Sequence, residues 1–157
     1  MAVRSEQQTR WFLGEGANPN ARCDWDNTPL SYAVREASLP TLALLVNHGG
    51  DLSRGQLLHF AVARQAPGRL AVVEWLLANG AHVNARMYEN DRPSWIENRP
   101  LGMGTPLHKA VEMNDEMTVR LLLSYNADCH VLDSVGRTAY DIAIARGYRT
   151  LAEIVRI

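Results

Sequence analysis

Gly104-Thr105-Pro106-Leu107-His108-Lys109-Ala110 is the stretch whose reading decides the fold. Thr105 suits a helix N-cap, because its hydroxyl can accept an orphan backbone N–H of the first turn. Pro106 follows at the first helical position, where a missing N–H costs nothing. Leu107, Ala110 and Val111 then fall at helical spacing. The stretch recurs as Asn27-Thr28-Pro29-Leu30-Ser31-Tyr32-Ala33, and more weakly as Arg137-Thr138-Ala139-Tyr140-Asp141-Ile142-Ala143. From Thr105 to Thr138 the chain advances about 33 residues, an interval in the range of internal structural repeats. A degenerate copy, Leu57-Leu58-His59-Phe60-Ala61, lies between Ala33 and Gly104.

A second element follows each of the first three copies in phase. It reads Ala43-Leu44-Leu45-Val46-Asn47-His48-Gly49-Gly50-Asp51 in its first full form. It returns from Glu74 to Ala85 and from Arg120 to Asp128, and a leading copy runs from Trp11 to Ala21. Gly16 and Gly49 are separated by the same interval as the two threonines. Gly16, Gly49 and Gly80 are placed to end helices in a left-handed conformation, and Asn126 stands where a fourth glycine would.

A threonine-proline helix start, a leucine-rich second helix and a glycine-ended turn, repeating at that one interval, resemble the ankyrin repeat. The resemblance covers nearly the whole chain. It implies an all-α solenoid of stacked helix pairs with hairpin-like fingers projecting from one side. It also implies that His59 and His108, with Ser31 and Asp141 at the equivalent positions, hydrogen-bond along the stack. Leu45, Leu76, Leu122 and Val155, with Ala33, Ala61, Ala110 and Ala143, are then expected to form the core row.

The repeats parse as one ankyrin-repeat domain over residues 1–157. A partial repeat covers 4–22, full repeats cover 23–53, 54–85 and 100–132, and a capping repeat covers 133–157. A chain that starts inside a repeat reads as a piece of a longer array or as one with an irregular cap. Two fingers break the period. Leu30 and Leu58 are closer together than one repeat, so the finger after Asp51 is short. Gly80 and Asn126 are further apart than one repeat, so a long insert occupies 86–104. Loops of that length in compact domains are functional or disordered. Tyr88, Trp95, Ile96 and Met103 make this one apolar, and Pro93 and Pro100 stiffen it. The insert is therefore expected to be ordered, either packing on the molecule beside the short finger near Arg54 and Gly55, or touching a partner.

Composition narrows the function classes. The 157 residues carry a formal charge of −1, with 46% hydrophobic and 21% charged residues. That balance lacks the basic excess of a nucleic-acid binder and the polybasic run of a membrane-surface protein. Nor does any apolar run approach the roughly 20 residues that span a bilayer. Residues 1–10 are polar and do not read as a signal peptide. Two cysteines, Cys23 and Cys129, are too few for a disulfide framework, which suits a reducing compartment, cytoplasmic or nuclear. They lack metal-ligand spacing, and no P-loop, nucleophile elbow or HExxH is present. No catalytic residue, metal or cofactor is assigned.

The expected function is a protein-protein interaction module, acting as a monomer on a protein partner. The resemblance implies binding through finger tips and the exposed ends of the first helices. Carried over by position, this gives Asp24, Trp25, Asn27, Arg35, Glu36, Arg64, Glu112, Met113 and Arg137, to which the insert adds Tyr88 and Trp95. Trp25 leads, because it sits in the polar turn Asp24-Trp25-Asp26-Asn27, where a core role is difficult. The alternative is a groove closed by the insert into a small-molecule pocket, with ligand-binding or enzymatic activity.

Overall fold

The computed structural model describes residues 5–156. The expected start of the partial repeat, at Arg4, lies outside the described residues, as does Ile157. The chain forms two compact units, Met1–Ala81 and His82–Ile157.

The first unit contains α1 (Glu6–Gly14), α2 (Pro29–Glu36), α3 (Leu39–Asn47), α4 (Leu57–Val62) and α5 (Arg69–Ala78). Helix α2 packs on α3 and α4, α1 packs on α3, and α4 packs on α5. The second unit contains α6 (Arg92–Asn98), α7 (Pro106–Glu112), α8 (Glu116–Ser124), α9 (Ala139–Arg146) and α10 (Arg149–Ile154). There α7 packs on α8 and α9, and α10 packs on α9 and α8. Only Ala37 and Ser38 separate α2 from α3, and the two helices pack on each other as a helical hairpin. The described residues are otherwise 3₁₀ turns and loops, with one isolated bridge between Cys23 and Asn27.

The helices begin where the threonines put them. Thr28, Thr105 and Thr138 are N-caps, each closing a reciprocal capping box with the residue three positions on, Ser31, His108 or Asp141. Each such cap contributes about 1 kcal/mol. Asn126 ends the α8 turn at φ 61°, in the left-handed conformation that glycine adopts at the equivalent positions.

Ala33, Ala61, Ala110 and Ala143 are fully buried, as are Leu45, Leu76, Leu122 and Val155. Alanine lets adjacent first helices approach closely, and the leucines of the second helices fill the space behind them. Asparagines add a polar stitch to each unit. The Asn20 side chain donates to the Gly49 carbonyl (2.7 Å) and accepts from the Asp51 N–H (2.7 Å). Asn84 repeats this with the Asn126 carbonyl (3.4 Å) and the Asp128 N–H (2.8 Å).

Candidate functional site

In the first unit the candidate surface is built on the turn before α2 and on the end of that helix. Asp24, Trp25 and Asp26 form a 3₁₀ turn in which Trp25 has φ 62° and ψ 38°. A left-handed bulky residue is strained and needs its neighbours to hold it. Asp26 supplies that hold. Its buried carboxylate pairs with Arg22 Nε (2.7 Å) and accepts from the Gly55 N–H (3.1 Å) and Gln56 Nε2 (3.3 Å). Trp25 is left 51% exposed at the tip.

Asn27 donates to the Asp24 carbonyl (2.8 Å), which fixes its amide. Its Oδ1 faces Arg35 Nη2 at 3.5 Å. The Arg35 guanidinium carbon lies 3.7 Å from the centre of the Phe60 ring and 5.9 Å from that of Tyr32. So short a distance to Phe60 fits parallel stacking, a cation–π contact across the packed α2 and α4. The Tyr32 hydroxyl lies 3.7 Å from Cys23 Sγ, and that hydrogen bond raises the tyrosine pKa above its usual value. Asp24 and Glu36 are exposed beside these groups.

Arg64 is a correction to the sequence expectation. It is buried, and its guanidinium donates to the carbonyls of Val34 (2.6 Å), Ala37 (2.9 Å) and Pro67 (3.1 Å). It caps the carboxyl end of α2, where carbonyls lack helical partners and cations are favoured. Burial lowers its pKa from the ordinary arginine value, and the Glu36 charge opposes that shift. Such a side chain holds the fold.

In the second unit the insert carries its own helix, α6. Asp91 caps it by accepting from the Ser94 backbone N–H (3.4 Å) and hydroxyl. The Met87 N–H donates to the Gly104 carbonyl (3.0 Å) and closes the base of the loop. The far end of the insert is tied to the last finger. Ser134 accepts from the Met103 N–H (2.6 Å), donates to the Arg99 carbonyl, and its own N–H reaches the Met103 carbonyl (3.1 Å).

Tyr88 is the second correction, because it is buried at 5% exposure and faces the interior instead of a partner. Trp95 is half-buried with the Arg86 guanidinium 5.2 Å from its ring. Ile96 and Leu101 of the insert and Leu132 and Val135 of the neighbouring finger are exposed apolar side chains, as are Met117 of α8 and Ile144 of α9. Leu101 was not singled out from sequence, since its neighbours in a turn give no periodicity from which to read its direction. Glu112 and Met113 are half-buried at the end of α7, with Glu112 3.3 Å from Lys109 Nζ. Arg137 is exposed but committed to the buried Asp133 carboxylate at 2.8 Å. Burial alone would raise the Asp133 pKa, but hydrogen bonds from Arg137 and Val135 and the Arg137 charge hold it below the usual carboxylate range.

The histidine of the threonine-proline stretch acts within the fold. The Thr105 N–H can only donate to His108 Nδ1 (3.1 Å), so Nε2 carries the proton and donates to the Arg137 carbonyl (3.0 Å). Burial lowers the His108 pKa. Cys129 is buried, and burial followed by the Asp128 charge raises its pKa, the opposite of an activated nucleophile.

Comparison with known families agrees with the paired helices and capped turns. Residues 1–87 match a model described as ankyrin repeats (3 copies), and residues 107–156 match ankyrin repeats (many copies). The chain belongs to the ankyrin-repeat family. This ankyrin-repeat chain is 29% identical over 93 residues to the ankyrin repeat protein YahD of Escherichia coli (strain K12), covering 56% of this chain and 40% of that protein. It is 32% identical over 103 residues to the ankyrin repeat and LEM domain-containing protein 1 homolog of Caenorhabditis elegans, covering 66% of this chain and 13% of that one. The ARF GTPase-activating protein Git of Drosophila melanogaster matches at 37% identity over 51 residues, 32% of this chain and 7% of its own length. The chain thus spans less than half the length of each of these relatives. Ankyrin repeats are generally protein-protein interaction modules. No helix among the described residues is long and apolar enough to cross a membrane.

Proposed function

We propose that this chain binds a protein partner through the finger and first-helix side of its repeats, with Trp25 as the main anchor of the first unit. The observation that carries this is the half-exposed Trp25 indole, held in a left-handed turn by the buried Asp26. Tryptophan is among the residues that dominate interface energies, and a rigid turn limits the entropy lost when it is covered. Asp24 and Asn27 adjoin it in the turn, and Arg35, which faces Asn27, extends a polar rim toward Glu36 along α2, an arrangement typical of protein interfaces. The second unit offers its own contact set in Glu112, Met113 and the insert, where Ile96, exposed at 58%, and half-buried Trp95 replace the buried Tyr88 as the apolar elements.

The test is capture of the native partner by the wild type and by a Trp25→Ala, Arg35→Ala double variant. The variant is expected to keep the thermal midpoint within a few degrees and to lose about tenfold or more in partner affinity. Undiminished binding by a folded double variant would remove the first unit's surface from the function. Transfer of the binding signal to a small molecule, with no protein partner, would favour a ligand-binding role instead.

A further inference from the structure

In the first unit, Arg10 pairs with Glu6, Arg22 with Asp26 and Arg54 with Asp51, while Arg64 is used on three carbonyls. Arg35 differs. Among the described residues it forms no ion pair, and its one hydrogen bond, to Asn27 Oδ1, is long at 3.5 Å. Yet it is not a loose surface cation. It is half-buried on the face of the buried Phe60, 3.7 Å from the ring centre, on helices that pack together.

A guanidinium stacked over a ring can still present N–H groups of its edge to a partner, and of these only Nη2 faces a protein acceptor, Asn27 Oδ1 at 3.5 Å. That edge matches the two oxygens of a carboxylate. Because stacking already fixes the side chain, a ligand that engages it does not have to order a long flexible arm. We propose that Arg35 is the carboxylate-recognising residue of the partner surface, and that the partner segment presents an Asp or Glu beside an apolar side chain that meets Trp25. The inference rests on the reading of Trp25 and Arg35 as partner-contacting.

Local charge selects the ligand class. Exposed Asp24 and Glu36 flank the site, and Arg35, without an ion pair among the described residues, supplies its guanidinium. A single carboxylate balances that cation. The flanking acids repel any anion, and a phosphate, with nearly two charges and a need for several cations, is disfavoured more strongly than a single carboxylate that one guanidinium can hold. The adjacent tryptophan favours a mixed apolar and acidic peptide over a purely acidic one.

The experiment selects a display library of random linear peptides on the wild-type chain. Enriched peptides are then resynthesised with the acidic residue or its amide, Glu or Gln. The expected result is one enriched acidic position next to an apolar one, and about tenfold weaker wild-type binding of the Gln peptide. Arg35→Gln should bind both peptides equally weakly. Arg35→Lys, which keeps charge without the planar fork, should regain little of the discrimination. Matching thermal midpoints guard against misfolded variants. Peptides that need Trp25 but ignore the Glu-to-Gln change would overturn the carboxylate inference and leave the interaction surface standing. Discrimination that persists in Arg35→Gln would also overturn it, by placing the carboxylate elsewhere. Peptides indifferent to both Trp25 and Arg35 would remove the surface reading beneath it.

Discussion

The short finger of the first unit and the long insert of the second depart from the repeat in opposite directions, and each is secured by a different neighbour. Residues 51–56 close tightly onto the capping box of α2. The Ser31 hydroxyl donates to the Gly55 carbonyl at 2.7 Å, while Asp26 holds Gly55 and Gln56 from the other side. In the second unit the side chain at the equivalent position, His108, reaches the Arg137 carbonyl of a full-length finger at 3.0 Å. The two bonds do the same job with side chains of different length. A small serine serves where the finger is drawn in, and a long imidazole serves where it stands further out. The insert is instead tied forward, through Arg99 and Met103, to Ser134 of the following finger. Irregular finger length is thus tolerated when the backbone polar groups it exposes still find partners.

The core does not share this asymmetry, and that sets the largest effect. Leu45→Ala and Leu122→Ala should each cost about 2–5 kcal/mol, with similar losses, because both side chains are fully buried in equivalent second helices. Chemical denaturation measures it. A clearly smaller loss at one site would show that the two units do not use the repeat core equally.

The glycines of the two fingers should separate them. A Cβ on Gly55, at φ +79°, would lie 2.2 Å from Ser31 Oγ and 2.7 Å from Thr28 Oγ1, inside a buried capping box. Gly55→Ala is expected to lose about 3 kcal/mol through overpacking and left-handed strain. A Cβ on Gly102, at φ +80°, would meet the Arg137 guanidinium at 2.3 Å and the Asp133 carboxylate at 3.2 Å, so the exposed arginine head has to shift within its pairing with Asp133. Gly102→Ala should therefore cost only about 1 kcal/mol. Equal losses would show that strain at positive φ, and not the rigidity of the neighbour, governs both.

Thr105→Val tests the cap that both units share. It should lose about 1 kcal/mol, with partner affinity unchanged, since Thr105 is buried. A fall in affinity at constant stability would make this residue a contact.

The smallest effect is a pH dependence at His108. Its pKa is lowered in the folded chain, first by burial, so the unfolded chain binds the proton more readily. The contribution is fully present above the ordinary histidine value of 6.5 and is lost as pH falls through the lower folded pKa. Protonating Nδ1 would also set an N–H against the Thr105 N–H. Melting midpoints of the wild type and His108→Asn should converge as pH is lowered through this window. An unchanged gap between them would mean that His108 keeps its proton state on unfolding.

Much of this was legible in residue order. Threonine, proline, leucine and alanine at fixed offsets specify capped helices with one apolar face, and glycine or Asn126 at the other end specifies the stop. These are local requirements of a helix, so one repeat carries them without help from the next. The N3 side chains were also legible, since Ser31 and His108 recur in phase with the caps they complete.

What the order of residues left open was the direction of long side chains. Arg35 and Arg64 both stand near the carboxyl ends of first helices, and both read as surface cations. The packing of α2 against α4 separates them. It places the open carbonyls of Val34 and Ala37 within reach of Arg64, and the Phe60 face beneath Arg35. Tyr88 and Leu101 divide in the same way, one buried and one 70% exposed, within a single insert. A helix cap is satisfied within a few residues of chain. The fate of an arginine or an inserted tyrosine depends on which carbonyls, rings and cavities distant segments bring to it, and only the tertiary structure supplies those.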